Sequence, residues 1–292
     1  MSAPLSITTQ ARPVTTVVEA LDERGLRVPT PIAGEHPLTL YLDRRELVTL
    51  MTLGSDPEHL ALGWLRNQGL IADIADIAAV QVDWETGSVA VTSRSLNETG
   101  VALWERPQAT GLEARLGHRT VTTGCGQGTV YGDMMDRLDT IRLPADVILN
   151  ESTVYGVMDQ VRRHESVYKV AGAVHGCALC TNPQDGSAPD ILSFVEDVGR
   201  HNAVDAIAGR MWVSGLQGDR LLFYTTGRLT SEMVIKCAQM GIPVLMSRSG
   251  LTGMGHEIAS RLGITMIGRC QGRHYLLFTG ADRFRRPDGV RS

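Results

Sequence analysis

The second half of the chain alternates short apolar runs with amphipathic stretches, joined by only a few polar residues, and this pattern restricts the fold more than any other feature. Helices are predicted over Glu151–Arg163, Asn202–Met211, Ser231–Met240 and His256–Leu262. Strands are predicted over Val170–Leu179, Ile191–Val195, Leu221–Thr225, Pro243–Ser247, Ile264–Ile267 and Tyr275–Phe278. Buried strands followed at once by helices make a sheet covered by helices.

The first half reads differently. Leu38–Leu42 and Leu47–Leu53 alternate as strands around the polar turn Asp43-Arg44-Arg45-Glu46, which predicts a hairpin. Ser55-Asp56-Pro57 supplies a cap and an early proline for a helix through Leu65. A second hairpin is predicted from Ile77–Val82 and Ser88–Val91 around Glu85-Thr86-Gly87. The expected organisation is an N-terminal arm (1–36), a small α+β domain (37–118), a mobile cysteine-bearing loop and linker (119–150), a larger α/β domain (151–285) and a tail (286–292).

Of the 292 residues 43% are hydrophobic and 21% charged, which fits a globular protein rather than a disordered chain or a fibre. A net charge of −4 argues against general nucleic-acid binding, since that needs many phosphates neutralised by clustered cations. No stretch is apolar enough to span a membrane and the N-terminus lacks a secretory pattern, so the expected location is the cytoplasm. Five scattered cysteines do not suit a disulfide framework. Lys169 and Lys236 are the only lysines, so nearly all positive charge is arginine.

Three segments could carry chemistry. Gly124-Cys125-Gly126-Gln127-Gly128 sets a thiol among glycines, where a bulky partner can reach the sulfur, although a plain linker would read the same way. Glu196-Asp197-Val198-Gly199-Arg200-His201-Asn202 gathers polar groups on a strand-to-helix turn, the place where open α/β sheets bind ligands. Taken singly, Asp197 and Asn202 also read as helix caps and His201 as a packing residue. Thr226-Gly227-Arg228 joins a buried strand to a helix, whose first amides and the Arg228 guanidinium suit an anion. Arg269-Cys270-Gln271-Gly272-Arg273 offers a further basic loop. Cys177 and Cys180 form a Cys-x-x-Cys that reads as core residues, as a redox pair or as part of a zinc site with His175, and since on a strand they point to opposite faces the core reading is favoured. His256-Glu257 lacks the second histidine of a zincin helix, Ser260 standing in its place.

From about Pro37 to Thr279 the chain resembles the formate dehydrogenase accessory sulfurtransferases, the FdhD family. Glu196-Asp197-Val198-Gly199-Arg200-His201-Asn202-Ala203-Val204-Asp205 carries most of the resemblance, with Ala61–Leu65, Thr123–Gly126, Val174-His175, Gly227-Arg228, Ser231–Val234 and Gly241–Leu245 beside it. The resemblance implies a small N-terminal α+β domain and a larger cytidine-deaminase-like three-layer α/β/α domain. It also implies a homodimeric sulfur carrier, which takes persulfide sulfur from a cysteine desulfurase. The sulfur passes to the molybdenum cofactor in its bis-molybdopterin guanine dinucleotide form, before insertion into the formate dehydrogenase catalytic subunit. The cofactor is then a bound substrate, and no metal of the protein's own is expected. The deaminase zinc motif is not reproduced, so deamination is not implied.

Cys125 matches the family's persulfide carrier, and Arg269, Cys270, Gln271, Gly272, Arg273 and His274 match its cofactor-binding loop in position. Asp197, His201, Gly227 and Arg228 are expected to meet the dinucleotide. Most relatives have Cys-x-x-Cys in the carrier loop, whereas Gly128 replaces the second cysteine here. Either Cys125 acts alone, or Cys177, Cys180 or Cys270 substitutes, or the activity has changed. A chaperone delivering the cofactor without moving sulfur is the alternative function, and a redox sensor built on Cys177 and Cys180 a third.

Overall fold

The computed structural model describes residues 4–10, 12–105 and 138–287. The stretch expected to be a loose arm contains β1 (Ser6–Thr8), β2 (Thr15–Leu21) and β3 (Arg27–Ala33). β2 and β3 form an antiparallel ribbon of their own. The predicted hairpin follows as β4 (His36–Leu42) and β5 (Arg45–Thr52), turning on Asp43 and Arg44. Both turn residues have positive φ, as a tight two-residue hairpin of this hand requires. Next come α1 (Pro57–Asn67), the antiparallel pair β6 (Ile77–Asp83) and β7 (Ser88–Ser93), and α2 (Arg94–Thr99). One sheet has the order β1-β6-β7-β4-β5. Its apolar face presents Leu38, Leu40, Leu42, Leu50, Val80 and Val89, all buried.

The second half begins with β8 (Leu149–Asn150) and α3 (Glu151–Arg163). Where a strand was expected from Val170, the chain forms the short helix α4 (Val167–Ala171). The cause is capping: the Glu196 carboxylate accepts the amides of Val167 and Tyr168 (2.5 and 3.1 Å), and the Ser166 hydroxyl accepts that of Lys169. Gly172 and Ala173, both at positive φ, then end the helix. The remaining elements are β9 (His175–Thr181), β10 (Ile191–Asp197), α5 (Arg200–Ser214), β11 (Leu221–Thr225), α6 (Ser231–Gln239), β12 (Val244–Ser247), α7 (Gly253–Leu262), β13 (Thr265–Gln271), β14 (His274–Thr279) and β15 (Phe284–Arg285). A six-stranded sheet has the order β10-β9-β11-β12-β13-β14. β11, β12 and β13 run parallel, while β9 and β14 are antiparallel to their neighbours β11 and β13. One face packs Ala178, Cys180, Leu222, Tyr224, Met246 and Ile267 with Val154, Val157 and Met158 of α3. Cys177, Leu179, Phe223, Leu245 and Met266 are buried on the other face by the alternation of the pleat.

Contacts divide this mixed α/β chain into two units that are not contiguous in sequence. The first lies within Met1–Asp133, Ser166–His175 and Glu196–Val213, the second within Met134–Glu165, Gly176–Val195 and Ser214–Ser292. Helix α5 thus belongs to the first unit, although the expected boundaries set it in the second. Its reason is a backbone-to-backbone crossing with α1. A Cβ on Gly63 would stand 1.7 Å from the Asp205 carbonyl oxygen, and one on Gly209 would stand 1.9 Å from that of His59. Across the crossing Asn67 donates to Asp205 (2.6 Å) and Arg210 to Asp56 (2.7 Å). No helix among the described residues is long and apolar enough to cross a membrane.

Candidate functional site

Because β11, β12 and β13 are parallel, their C-terminal ends lie along one edge of the sheet, where the following loops can converge on a ligand. The loop after β11 runs from Thr226 to Thr230 and that after β12 from Arg248 to Thr252. Their backbones are tied together: Leu229 N donates to Gly250 O (3.0 Å), Thr252 N to Leu229 O (3.1 Å), and Arg248 N to Thr225 O (3.0 Å). The buried Ser247 hydroxyl donates to Gly227 O (2.6 Å) and accepts from Ser249 N (2.9 Å), locking both loops at their roots. Gly227 N in turn donates to the Thr225 hydroxyl at 3.1 Å.

β13 carries a bulge between Gly268 and Gln271, with Arg269 in the left-handed region (φ 56°). Arg269 N donates to Ser249 O at 2.7 Å, which holds this strained backbone against the second loop. Arg228 and Arg269 are exposed and Arg248 is half-buried, so all three loops of this edge bring an arginine. The N-cap of α6, Thr230, makes no side-chain capping bond, and the positive end of that helix dipole lies at the same edge. Arginine is suited to phosphate by its planar fork of donors.

Gln271 and His274 pair across a two-residue turn, Gly272-Arg273, that projects past the last β12 pairing, Met246 with Ile267. Gln271, Gly272, Arg273 and His274 are all exposed, and the Arg273 guanidinium lies 5.5 Å from the Tyr155 ring centre. Cys270 does not share this surface. The bulge turns it into the core, where it is 3% exposed and burial pushes its thiol pKa up to about 12. The expectation that Cys270 faces a cofactor is therefore corrected.

Asp197 and His201 lie in the first unit, Gly227, Arg228 and the 269–274 segment in the second. The Asp197 carboxylate accepts four hydrogen bonds, from the Thr52 hydroxyl, Leu53 N (3.0 Å), Gly199 N (2.9 Å) and the Asn202 amide (2.8 Å). Four donors fill the acceptor capacity of a carboxylate, so this group ties β5 to the start of α5 rather than awaiting a ligand. His201 is buried in the first turn of α5. Arg248 was missed by sequence reasoning. The Ser247-Arg248-Ser249-Gly250 run after a buried strand was its available signal. Lys236, noted in the sequence only as one of two lysines, is buried inside α6 and paired with Glu232 at 3.4 Å.

Cys125 and Gly128 lie outside the described residues. Cys177, Cys180, Cys237 and Cys270, the other four cysteines, are all buried in cores and joined in no disulfide. Cys180 is fully buried and its pKa, like that of Cys270, is pushed up to about 12 by burial. The Cys177 thiol donates to the Thr225 hydroxyl (3.3 Å), on the face opposite the Cys180 cluster. These are inert core thiols, not a redox pair. A native-state alkylation at about pH 8 is accordingly expected to modify no more than one thiol per chain, with five modified after unfolding. Two or more labelled in the folded protein would contradict the burial.

Comparison with known proteins gives a consistent result. The chain is 27% identical to the sulfur carrier protein FdhD of Listeria innocua over 258 residues, covering 88% of this chain and 92% of that one. It is 28% identical to the sulfur carrier protein FdhD of Wolinella succinogenes over 255 residues, covering 86% and 82% respectively. A crystal structure from Desulfotalea psychrophila, described as a formate dehydrogenase accessory protein, is similar with a TM-score of 0.70 at 25% identity, covering 94% of this chain and all of that one. Residues 33–285 match the FdhD/NarQ family across both halves of the fold, and the chain belongs to that family.

Proposed function

We propose that the chain is a sulfur carrier for formate dehydrogenase maturation, with Cys125 as its one reactive thiol. The observation that carries this is the burial of every other cysteine, in a family whose curated relatives are named sulfur carriers. Cys125 thiolate attacks the terminal sulfur of a cysteine desulfurase persulfide, forming a persulfide on Cys125 and releasing the desulfurase thiol. The acceptor is the molybdenum cofactor in its bis-molybdopterin guanine dinucleotide form, bound as substrate. Arg228, Arg248 and Arg269, beside the N-terminal end of α6, suit its phosphates; Gln271, Gly272, Arg273 and His274 offer a flanking surface.

Releasing the outer sulfur as sulfide takes two electrons. In a two-cysteine loop a second thiol supplies them by forming a disulfide. With Gly128 in that place, an external thiol or the reduced metal of the cofactor supplies them. The partners this role requires are a cysteine desulfurase and the formate dehydrogenase catalytic subunit, met by a homodimer in the cytoplasm.

Gly128 favours one second reading, a chaperone that delivers the cofactor without moving sulfur. Intact-mass measurement after incubation with a cysteine desulfurase and cysteine separates them. The carrier gains about one sulfur, reversed by reductant and absent in Cys125→Ser. An unmodified wild-type chain that still binds the guanine dinucleotide cofactor leaves the chaperone.

A further inference from the structure

The N-terminal end of α1 holds a cluster that the sulfur-carrier role does not use. Asp56, Glu58 and His59 each bring one ligand-type atom within 4.8 Å of the others. His59 Nδ1 lies 2.6 Å from Asp56 Oδ1 and 3.9 Å from Glu58 Oε1. Arg210 of α5 donates to the other Asp56 oxygen, Oδ2, at 2.7 Å. An ion-pair network accounts for Asp56, His59 and Arg210. It leaves Glu58 only partly matched: this carboxyl is 3% exposed and takes hydrogen bonds from Thr9 and its own backbone, but its Oε2, buried from water, has no hydrogen-bond partner among the described residues. A buried carboxylate with one oxygen unmatched is costly, and cation coordination is one of the few ways to offset it.

We propose that Asp56, Glu58 and His59 form a divalent-metal site pinning the start of α1. Two carboxylates and one imidazole suit Mn2+, Fe2+ or Zn2+. Metal–ligand bonds of about 2.0–2.2 Å place ligand atoms roughly 3 Å apart, so small side-chain adjustments close the site. Arg210 then acts from outside, holding the Asp56 carboxylate so that Oδ1 faces the ion. His59 is the most accessible of the three, with 22% of its side chain exposed, and provides the route from solvent. The charges also fit: two carboxylates and one guanidinium leave a net negative site for the cation. Sequence reading placed Asp56 only at a helix start and expected no resident metal.

Mn2+ is the probe of choice because thiols bind it poorly, which separates this site from Cys125. Loss of the free-Mn2+ electron paramagnetic resonance signal is expected to show one ion per chain in the full-length protein, with a rise in thermal midpoint. Glu58→Gln and His59→Asn are each expected to weaken binding by about tenfold or more. In the absence of metal, Glu58→Gln is expected to be at least as stable as wild type, because it removes a buried charge whose Oε2 is unmatched. That combination separates a lost ligand from a damaged fold. Retention of the full free-Mn2+ signal by wild type, binding unchanged in both variants, or a metal-free Glu58→Gln clearly less stable than wild type would each overturn the proposal.

Discussion

Gly209→Ala is expected to cost the first unit about 4 kcal/mol or more, a loss in the exceptional range for a single methyl group. The added Cβ would meet the His59 backbone carbonyl at 1.9 Å. A flexible side chain could swing away from such an intrusion, but a helix backbone yields only if the two helices part. Parting α1 from α5 also stretches the Asn67–Asp205 and Arg210–Asp56 bonds, so polar and packing losses arrive together. Gly63→Ala, intruding on the Asp205 carbonyl from the other side, is expected to do the same. Since either methyl alone forces the helices apart, the double variant is expected to lose much less than the sum. Urea unfolding of the three proteins is the check. A midpoint for either single variant close to wild type would show that the crossing is looser than its geometry.

The second large effect is expected at Asp197. Asp197→Ala leaves the Thr52 hydroxyl, the Leu53 and Gly199 amides and the Asn202 side chain facing a small buried cavity, at a cost of about 3–5 kcal/mol. Asp197→Asn is expected to cost less, because one side-chain oxygen still accepts while the new amide confronts donors. Burial raises the Asp197 pKa above the usual carboxylate range, although the four donors pull against that shift. For a carboxyl with a raised native pKa, the stabilisation is complete below the unfolded value near 4 and declines as pH rises through the native value. Wild type is therefore expected to exceed Asp197→Asn by most in acid, the gap narrowing towards neutral pH. A gap that widens with pH would show that the donors outweigh the burial.

Elements held by their own periodicity were legible in the sequence. The β4–β5 and β6–β7 hairpins, α1, and the β11–α6–β12–α7–β13 run all follow local patterns of apolar residues and turn chemistry. Those defined by distant partners were not. β1 is three residues long and exists through its pairing with β6, Ser6 opposite Ala79, and α4 depends on the carboxylate of Glu196 some thirty residues on. The candidate site divides along the same line. Gly227, Arg228 and Arg269 were readable because a polar, glycine-bearing stretch after a buried strand marks a sheet edge. Asp197 was misread because Thr52, which fills part of its acceptor capacity, lies 145 residues away in the chain. Cys270 was misread because a bulge reverses the inside–outside alternation within β13, and no periodicity announces a bulge. Cys125, the residue that mattered most to the sequence reading, lies outside the described residues.

The interleaving of the two units bears on how the chain is made. Helix α1 leaves the ribosome early, but α5, which covers its glycine face, is synthesised only after β9 and β10 of the second unit. Until then the face of α1 that carries Gly63 and Asn67 lacks its partner helix, and the nascent chain leaves that face uncovered for well over a hundred residues of synthesis. Long-range closures of this kind are slow and prone to aggregation. Cutting the gene after the first half therefore yields a fragment without its closing helix, and recombinant production stands to gain from chaperones and slow translation rather than from truncation.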